Sequence, residues 1–187
     1  MNIFISGGCK NGKSLHAQEL ARDMAKEQGA KLYYIATMIP KDDEDRVRIK
    51  RHLKAREGWG FTTVEIGTHL MGILEGSIKD ENGEPVDPNG VFLMDSVTAL
   101  LSNEMFDTEG NFDESAGSRV RDEVVAFAKG TGSTVFVSDY IYSDANIYAD
   151  DFTENYRKAL AGCDTALAKV CDQVIEVSFG TFRTIQG

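Results

Sequence analysis

The sequence is short of several things, and each shortage removes a class of function. It has three cysteines in 187 residues, an odd number, at positions 9, 163 and 171 with no metal-ligand spacing. That argues against a disulfide framework or a cysteine-based metal site and fits reduced thiols in a cytoplasmic protein. No run of about 18 apolar residues occurs, so no membrane span is expected. The N-terminus lacks a basic stretch leading into an apolar one and enters an apolar strand at once, so no secretory signal peptide is expected either. Positive charge is scarce: 20 Lys and Arg stand against 30 Asp and Glu, for a formal net charge of −10. A general nucleic-acid binder needs a broad basic face, and this balance argues against one. There is no internal repeat and no low-complexity tract. What remains is ordinary for a soluble globular protein, 42% hydrophobic and 27% charged, and the length fits one domain over residues 1–187.

Against that plain background one motif stands out. Residues 7–14 read Gly-Gly-Cys-Lys-Asn-Gly-Lys-Ser, a complete G-x-x-x-x-G-K-S phosphate-binding loop. Its surroundings are those the motif requires. An apolar run (Ile3, Phe4, Ile5) precedes it as a buried first strand. From Lys13 onward Ala17, Leu20, Ala21, Met24 and Ala25 recur at helical spacing, with Gly29 placed to end the helix. A strand feeding a glycine turn and a helix N-terminus aims several backbone N–H groups at one point, which suits a phosphate. Lys13 can then reach the β- and γ-phosphates and the Ser14 hydroxyl can ligate Mg²⁺.

The rest of the chain alternates strand and helix. Residues 31–37 read as a second buried strand, 42–56 as a polar helix, 61–66 as a short strand and 68–78 as a helix with Leu70, Ile73 and Leu74 inward. Residues 79–90 form a loop, and 91–94 an apolar strand ending in Asp95. A helix over 113–129, a strand at 134–138, a helix carrying Phe152, Tyr156, Leu160, Cys163, Leu167 and Val170, a strand at 173–178 and an edge strand at 182–185 complete the pattern. Buried strands separated by helices imply a P-loop nucleotidase-like α/β fold, a mainly parallel sheet with helices on both faces. The acidic surplus, concentrated at 42–45, 80–87, 104–114 and 144–154, is expected on solvated faces and loops.

Two constellations add chemistry. Asp95 closes an apolar strand at the end where such sheets bind ligands, so it is a candidate for holding Mg²⁺; the competing role is a helix N-cap, since Ser96 follows. In the helix at 42–56, Arg48, His52 and Arg56 stand at i, i+4 and i+8 on one face. A histidine between two arginines suits an anion that neutralises all three: a neutral imidazole can attack phosphorus while the arginines stabilise departing pyrophosphate. A solvated basic face with an incidental histidine is the alternative. His16 and His69 have no recognisable partner and are taken as structural.

With these residues in view the chain resembles the bifunctional adenosylcobinamide kinase/adenosylcobinamide-phosphate guanylyltransferase family, essentially end to end. The phosphate loop, Tyr34-Ile35-Ala36-Thr37, Asp42-Asp43-Glu44 and above all Arg48-Ile49-x-x-His52-x-x-x-Arg56 with Trp59 are similar to the family pattern. Further matches fall at Thr63-Val64-Glu65, Leu93-Met94-Asp95, Tyr156-Arg157 and Asp172-Gln173-Val174. Ser138-Asp139-Tyr140-Ile141-Tyr142 departs from it. The resemblance implies two reactions: phosphorylation of the aminopropanol hydroxyl of adenosylcobinamide by ATP or GTP, then guanylylation of a histidine by GTP and passage of GMP to the phosphorylated corrinoid. It makes His52 the nucleophile and Lys13 the phosphate lysine. It places nucleotide contacts at Gly7, Gly8, Cys9, Lys10, Asn11, Gly12, Lys13, Ser14, Ala36, Thr37, Met38, Leu53, Lys54, Ala55, Arg56, Glu65 and Asp95, with Ser14 and Asp95 on Mg²⁺, and it implies a homotrimer. The alternatives are a P-loop kinase of another small-molecule alcohol without guanylyl transfer, and a non-catalytic nucleotide-binding module.

Overall fold

Alternating side chains along the strands account for both layers of the core. In the computed structural model, which describes residues 1–40, 42–107, 109–141 and 151–187, strand β1 (Asn2–Gly7) sends Ile3 and Ile5 to one face and Phe4 to the other. Strands β2 (Leu32–Ala36), β4 (Val91–Asp95) and β5 (Ser133–Asp139) do the same, which is why they read as unbroken apolar runs. With β3 (Thr62–Glu65), β6 (Gln173–Ser178) and β7 (Thr181–Gln186) they form a seven-stranded sheet among the described residues, in the order β3-β2-β4-β5-β1-β6-β7. Every pairing is parallel except β6 with β7, which is an antiparallel hairpin.

Helix α1 (Lys13–Gln28) covers one face with Ala17, Ala21, Met24 and Ala25, packed on Ile3, Ile5, Leu93, Val135 and Val177. Gly29 ends it at φ 61°. The other face carries α3 (Val97–Met105), α4 (Ala116–Gly130) and α5 (Asp151–Val170) around Phe92, Met94, Phe127 and Phe136. On α5, Leu160, Cys163 and Leu167 are buried at the expected spacing. None of the described side chains of helix α2 (Asp43–Arg56) belongs to either core cluster. It is held by its ends: the Asp42 side chain caps it at Asp45 N (2.8 Å), three acids occupy its first turn, and Lys54 and Arg56 its last. The side chains of Arg48, His52 and Ala55 are outside the described set, as are Tyr142 and the acidic stretch from 144 to 150.

Two expectations change. The helix over 68–78 is only a single 3-10 turn, Leu70–Ile73. Leu70 and Ile73 are buried as expected, with Leu74 packed partly against them. Gly76, just past the turn, takes φ 70°, and a Cβ at Gly72, inside it, would press on Ile78 and Ser77. Conversely, α3 was not expected. Ser96 caps it by accepting from Ala99 N at 3.2 Å, and Val97, Leu100, Leu101 and Met105 fill the core.

Candidate functional site

The glycine loop bends as the motif demands. Gly12 sits at φ 92°, and a Cβ on Gly7 would collide with the Val177 carbonyl and lie 2.7 Å from Asn11 Nδ2, so both positions require glycine. Lys10 also takes the left-handed conformation (φ 55°), and Asn11 Nδ2 donates to Val177 O at 2.8 Å, tying the loop to β6. The ammonium of Lys13, only 5% exposed, is curled under the loop. It donates to Gly7 O (2.9 Å), Gly8 O (2.6 Å) and Asn11 Oδ1 (3.4 Å), and forms an ion pair with Asp139 Oδ1 at 2.7 Å. Ser14 is half-buried in the first turn of α1, while Cys9 is exposed.

Strand register brings the remaining candidates level with this loop. Ala36 pairs with both Asp95 and Glu65, and Gly7 with Asp139, so the ends of β1 to β5 form one edge. Thr37, fully buried, donates from Oγ1 to Ser96 O (2.9 Å) and accepts from Ser96 N (2.8 Å). Asn103 Nδ2 donates to Thr37 O (2.7 Å) and Gly67 O (2.9 Å), fixing the exits of β2 and β3 against each other. Met38 is half-buried beside them and Glu65 is exposed. Because Ser96 caps α3, Asp95 is free of that duty. Its Oδ2 accepts from Tyr34 Oη at 3.2 Å.

Helix α2 reaches this edge through Arg56. The guanidinium, 6% exposed, lies 3.4 Å over the centre of the Tyr34 ring. Burial pulls its pKa below the ordinary value, opposed by Tyr34, Asp95 and Glu81. Leu53 and Lys54, exposed, line with Arg56, Phe61, Thr63 and Glu81 a cavity of about 330 Å³ between α2 and β3.

Several contributors were not singled out in the sequence. Asp139 closes an apolar strand as Asp95 does, and that rule would have found it. Its backbone N–H donates to Thr98 Oγ1 at 2.9 Å, and Tyr156 Oη donates to Thr98 O at 2.8 Å. Asn103 carries no local signal. His16 and His69 do have partners: His16 stacks on Phe182 with ring centroids 4.1 Å apart, and His69 Nε2 is 3.1 Å from Glu75 Oε2. Glu104 is largely covered, held by Arg119 Nη1 at 2.6 Å, rather than solvated.

The oxygen donors Ser14 and Asp95 at this edge suit a hard cation such as Mg²⁺, completed by phosphate oxygens and water. No group of three or more His, Cys, Asp or Glu side chains able to hold a metal forms among the described residues.

The bifunctional adenosylcobalamin biosynthesis protein CobU of Escherichia coli is 36% identical over 114 residues, covering 60% of this chain and 55% of that protein. The protein of the same name from Salmonella typhimurium is 29% identical over 113 residues with the same coverage, so the match spans about half the length of these relatives. Among solved structures, flagellar accessory protein FlaH from Methanocaldococcus jannaschii is 12% identical with a TM-score of 0.48, covering 99% of this chain and 77% of that one. The model of the cobinamide kinase / cobinamide phosphate guanyltransferase family matches residues 3–185, end to end through the loop, α2 and the strand-end carboxylates, and the chain belongs to that family.

Proposed function

We propose that the protein phosphorylates the aminopropanol hydroxyl of adenosylcobinamide and then transfers GMP from GTP to the resulting phosphate through a guanylylated His52. The observation that supports this reading is the contact between Arg56 and Tyr34, which joins the end of the histidine-bearing helix to the residue whose hydroxyl donates to Asp95, on the strand-end edge that also carries the phosphate loop. His52 is one helical turn before Arg56, on the same stripe of α2.

In the first half-reaction the substrate hydroxyl oxygen attacks the γ-phosphorus. The bond from that phosphorus to the bridging oxygen breaks and a nucleoside diphosphate leaves. The hydroxyl proton passes to the carboxylate of Asp139. Incoming phosphate oxygens replace Asp139 and the loop carbonyls as partners of Lys13, and this exchange frees that carboxylate. Ser14 and Asp95 would hold Mg²⁺, which would supply charge neutralisation to the transferring phosphate.

In the second, an imidazole nitrogen of His52 attacks the α-phosphorus of GTP, and pyrophosphate leaves into the loop as the P–O bond breaks. Arg56 and Lys13 stabilise its charge. A phosphate oxygen of the phosphorylated corrinoid then attacks the same phosphorus, breaking the P–N bond, restoring imidazole and giving adenosylcobinamide-GDP. The cavity beside Leu53 and Phe61 is sized for a base. The reading includes a homotrimer in the cytoplasm; no helix among the described residues is long and apolar enough to cross a membrane.

Incubation with α-labelled GTP tests it. Acid-labile, base-stable label on the protein, lost in His52→Ala, is expected; no label under any condition removes guanylyl transfer. Triphosphate consumption that is equal with and without adenosylcobinamide removes the corrinoid kinase.

A further inference from the structure

The phosphate loop has two flanks. On one lie β5, β4, β2 and β3, with Asp139, Asp95 and the α2 cavity; on the other, among the strands of the described residues, lie β6 and β7. That second flank is aromatic. Phe182 of β7 stands over the loop, its Cζ 3.9 Å from where a Gly12 Cβ would be. Its ring pairs with that of His16 on α1 at 4.1 Å and 35°, and it remains 41% exposed. Three residues earlier in the hairpin turn, Phe179 holds φ 51° and is fully exposed. With Gly180 at φ 72°, the turn has positive φ at both positions, a geometry that favours Asn-Gly and penalises a bulky side chain. Burial does not explain a phenylalanine there.

The two proposed half-reactions give this flank a use. Guanylyl transfer needs the α-phosphorus on the α2 side, which puts the base in the cavity beside Phe61. Phosphoryl transfer needs the γ-phosphorus at Lys13 and Asp139, and the same loop can present it there with the triphosphate held the other way round. Its nucleoside then emerges over Gly12 toward β6 and β7. We infer that Phe182, backed by His16, is the stacking platform for the purine base of the phosphoryl-donating triphosphate. This rests on the reading of the loop as a triphosphate site and deepens it: one phosphate anchor serves two opposite nucleotide seatings. Stacking reads the presence of a π-face and not the hydrogen-bonding edge, so this platform takes adenine and guanine alike.

The test compares ATP with inorganic tripolyphosphate by calorimetry, using the intact protein, Phe182→Leu and Phe182→Tyr. Phe182→Leu should weaken ATP roughly 5- to 150-fold and leave tripolyphosphate unchanged, with Phe182→Tyr restoring ATP. Leucine preserves an apolar surface, so a purely packing or interface role would not give that pattern. ATP binding unchanged in Phe182→Leu, or both ligands weakened equally, overturns the platform. Wild-type protein that binds neither ligand overturns the loop reading itself, and the platform with it.

Discussion

Lys13 and Asp139 are paired at 2.7 Å across the ends of β1 and β5, 126 residues apart in the chain. The pair joins the phosphate lysine to a carboxylate that closes an apolar strand, as Asp95 does. Replacing Asp139 with Asn keeps the shape but removes the proton acceptor. Lys13 retains two loop carbonyls and Asn11 Oδ1, so the stability change should be small. Phosphoryl transfer should fall by about 10²- to 10⁴-fold. Initial rates with adenosylcobinamide and a thermal melt check both parts; an unchanged kcat would move the general base elsewhere.

Arg56→Lys preserves charge and loses the planar face that lies over Tyr34. The lost stacking is worth about 1–2 kcal/mol in a desolvated setting, so GTP affinity should drop by about 5- to 30-fold. Tyr34 Oη also positions Asp95, so protein-bound guanylyl label should fall with it. Titration of GTP binding, beside the labelling yield, measures each.

The strands were legible because they are buried on both faces, so Val91–Asp95 and Leu32–Ala36 needed no tertiary information to be read. The phosphate loop was legible because all its chemistry lies within eight consecutive residues. Sites that depend on strand order were not. Asp139 and Phe182 meet the loop only because β5 and β7 lie on opposite sides of β1 and β6, and nothing local in the sequence states that order. Leu70, Ile73 and Leu74 have helical spacing, yet only one turn forms, between the left-handed His69 and Gly76: burial pattern alone did not decide backbone conformation.

Asn103 is the residue whose role could be found only in three dimensions. Asn103→Ala would strip the carbonyls of Thr37 and Gly67 of a shared donor, costing about 1–3 kcal/mol. Urea unfolding should show a lower midpoint with an unchanged slope. Because Thr37 lies at the nucleotide edge, nucleotide affinity should weaken as well.

The three cysteines should behave as two classes. Cys9 is exposed in the phosphate loop, whereas burial pushes the thiols of Cys163 and Cys171 from 9.0 up to about 12, with Asp164 and Asp172 adding to the effect. At pH 8 an alkylating reagent should label Cys9 alone in the native protein, more slowly with ATP bound, and all three after unfolding. The same shifts set a pH limit. Below about pH 9 these thiols are protonated in both states and stability does not depend on them. Between pH 9 and 12 the unfolded chain releases protons that the folded one keeps, so stability falls by about 1.4 kcal/mol per thiol per pH unit. Cys163→Ala should remove its share of that slope, measured by denaturant titration across the window, and a slope unaltered by the substitution would place the alkaline loss elsewhere.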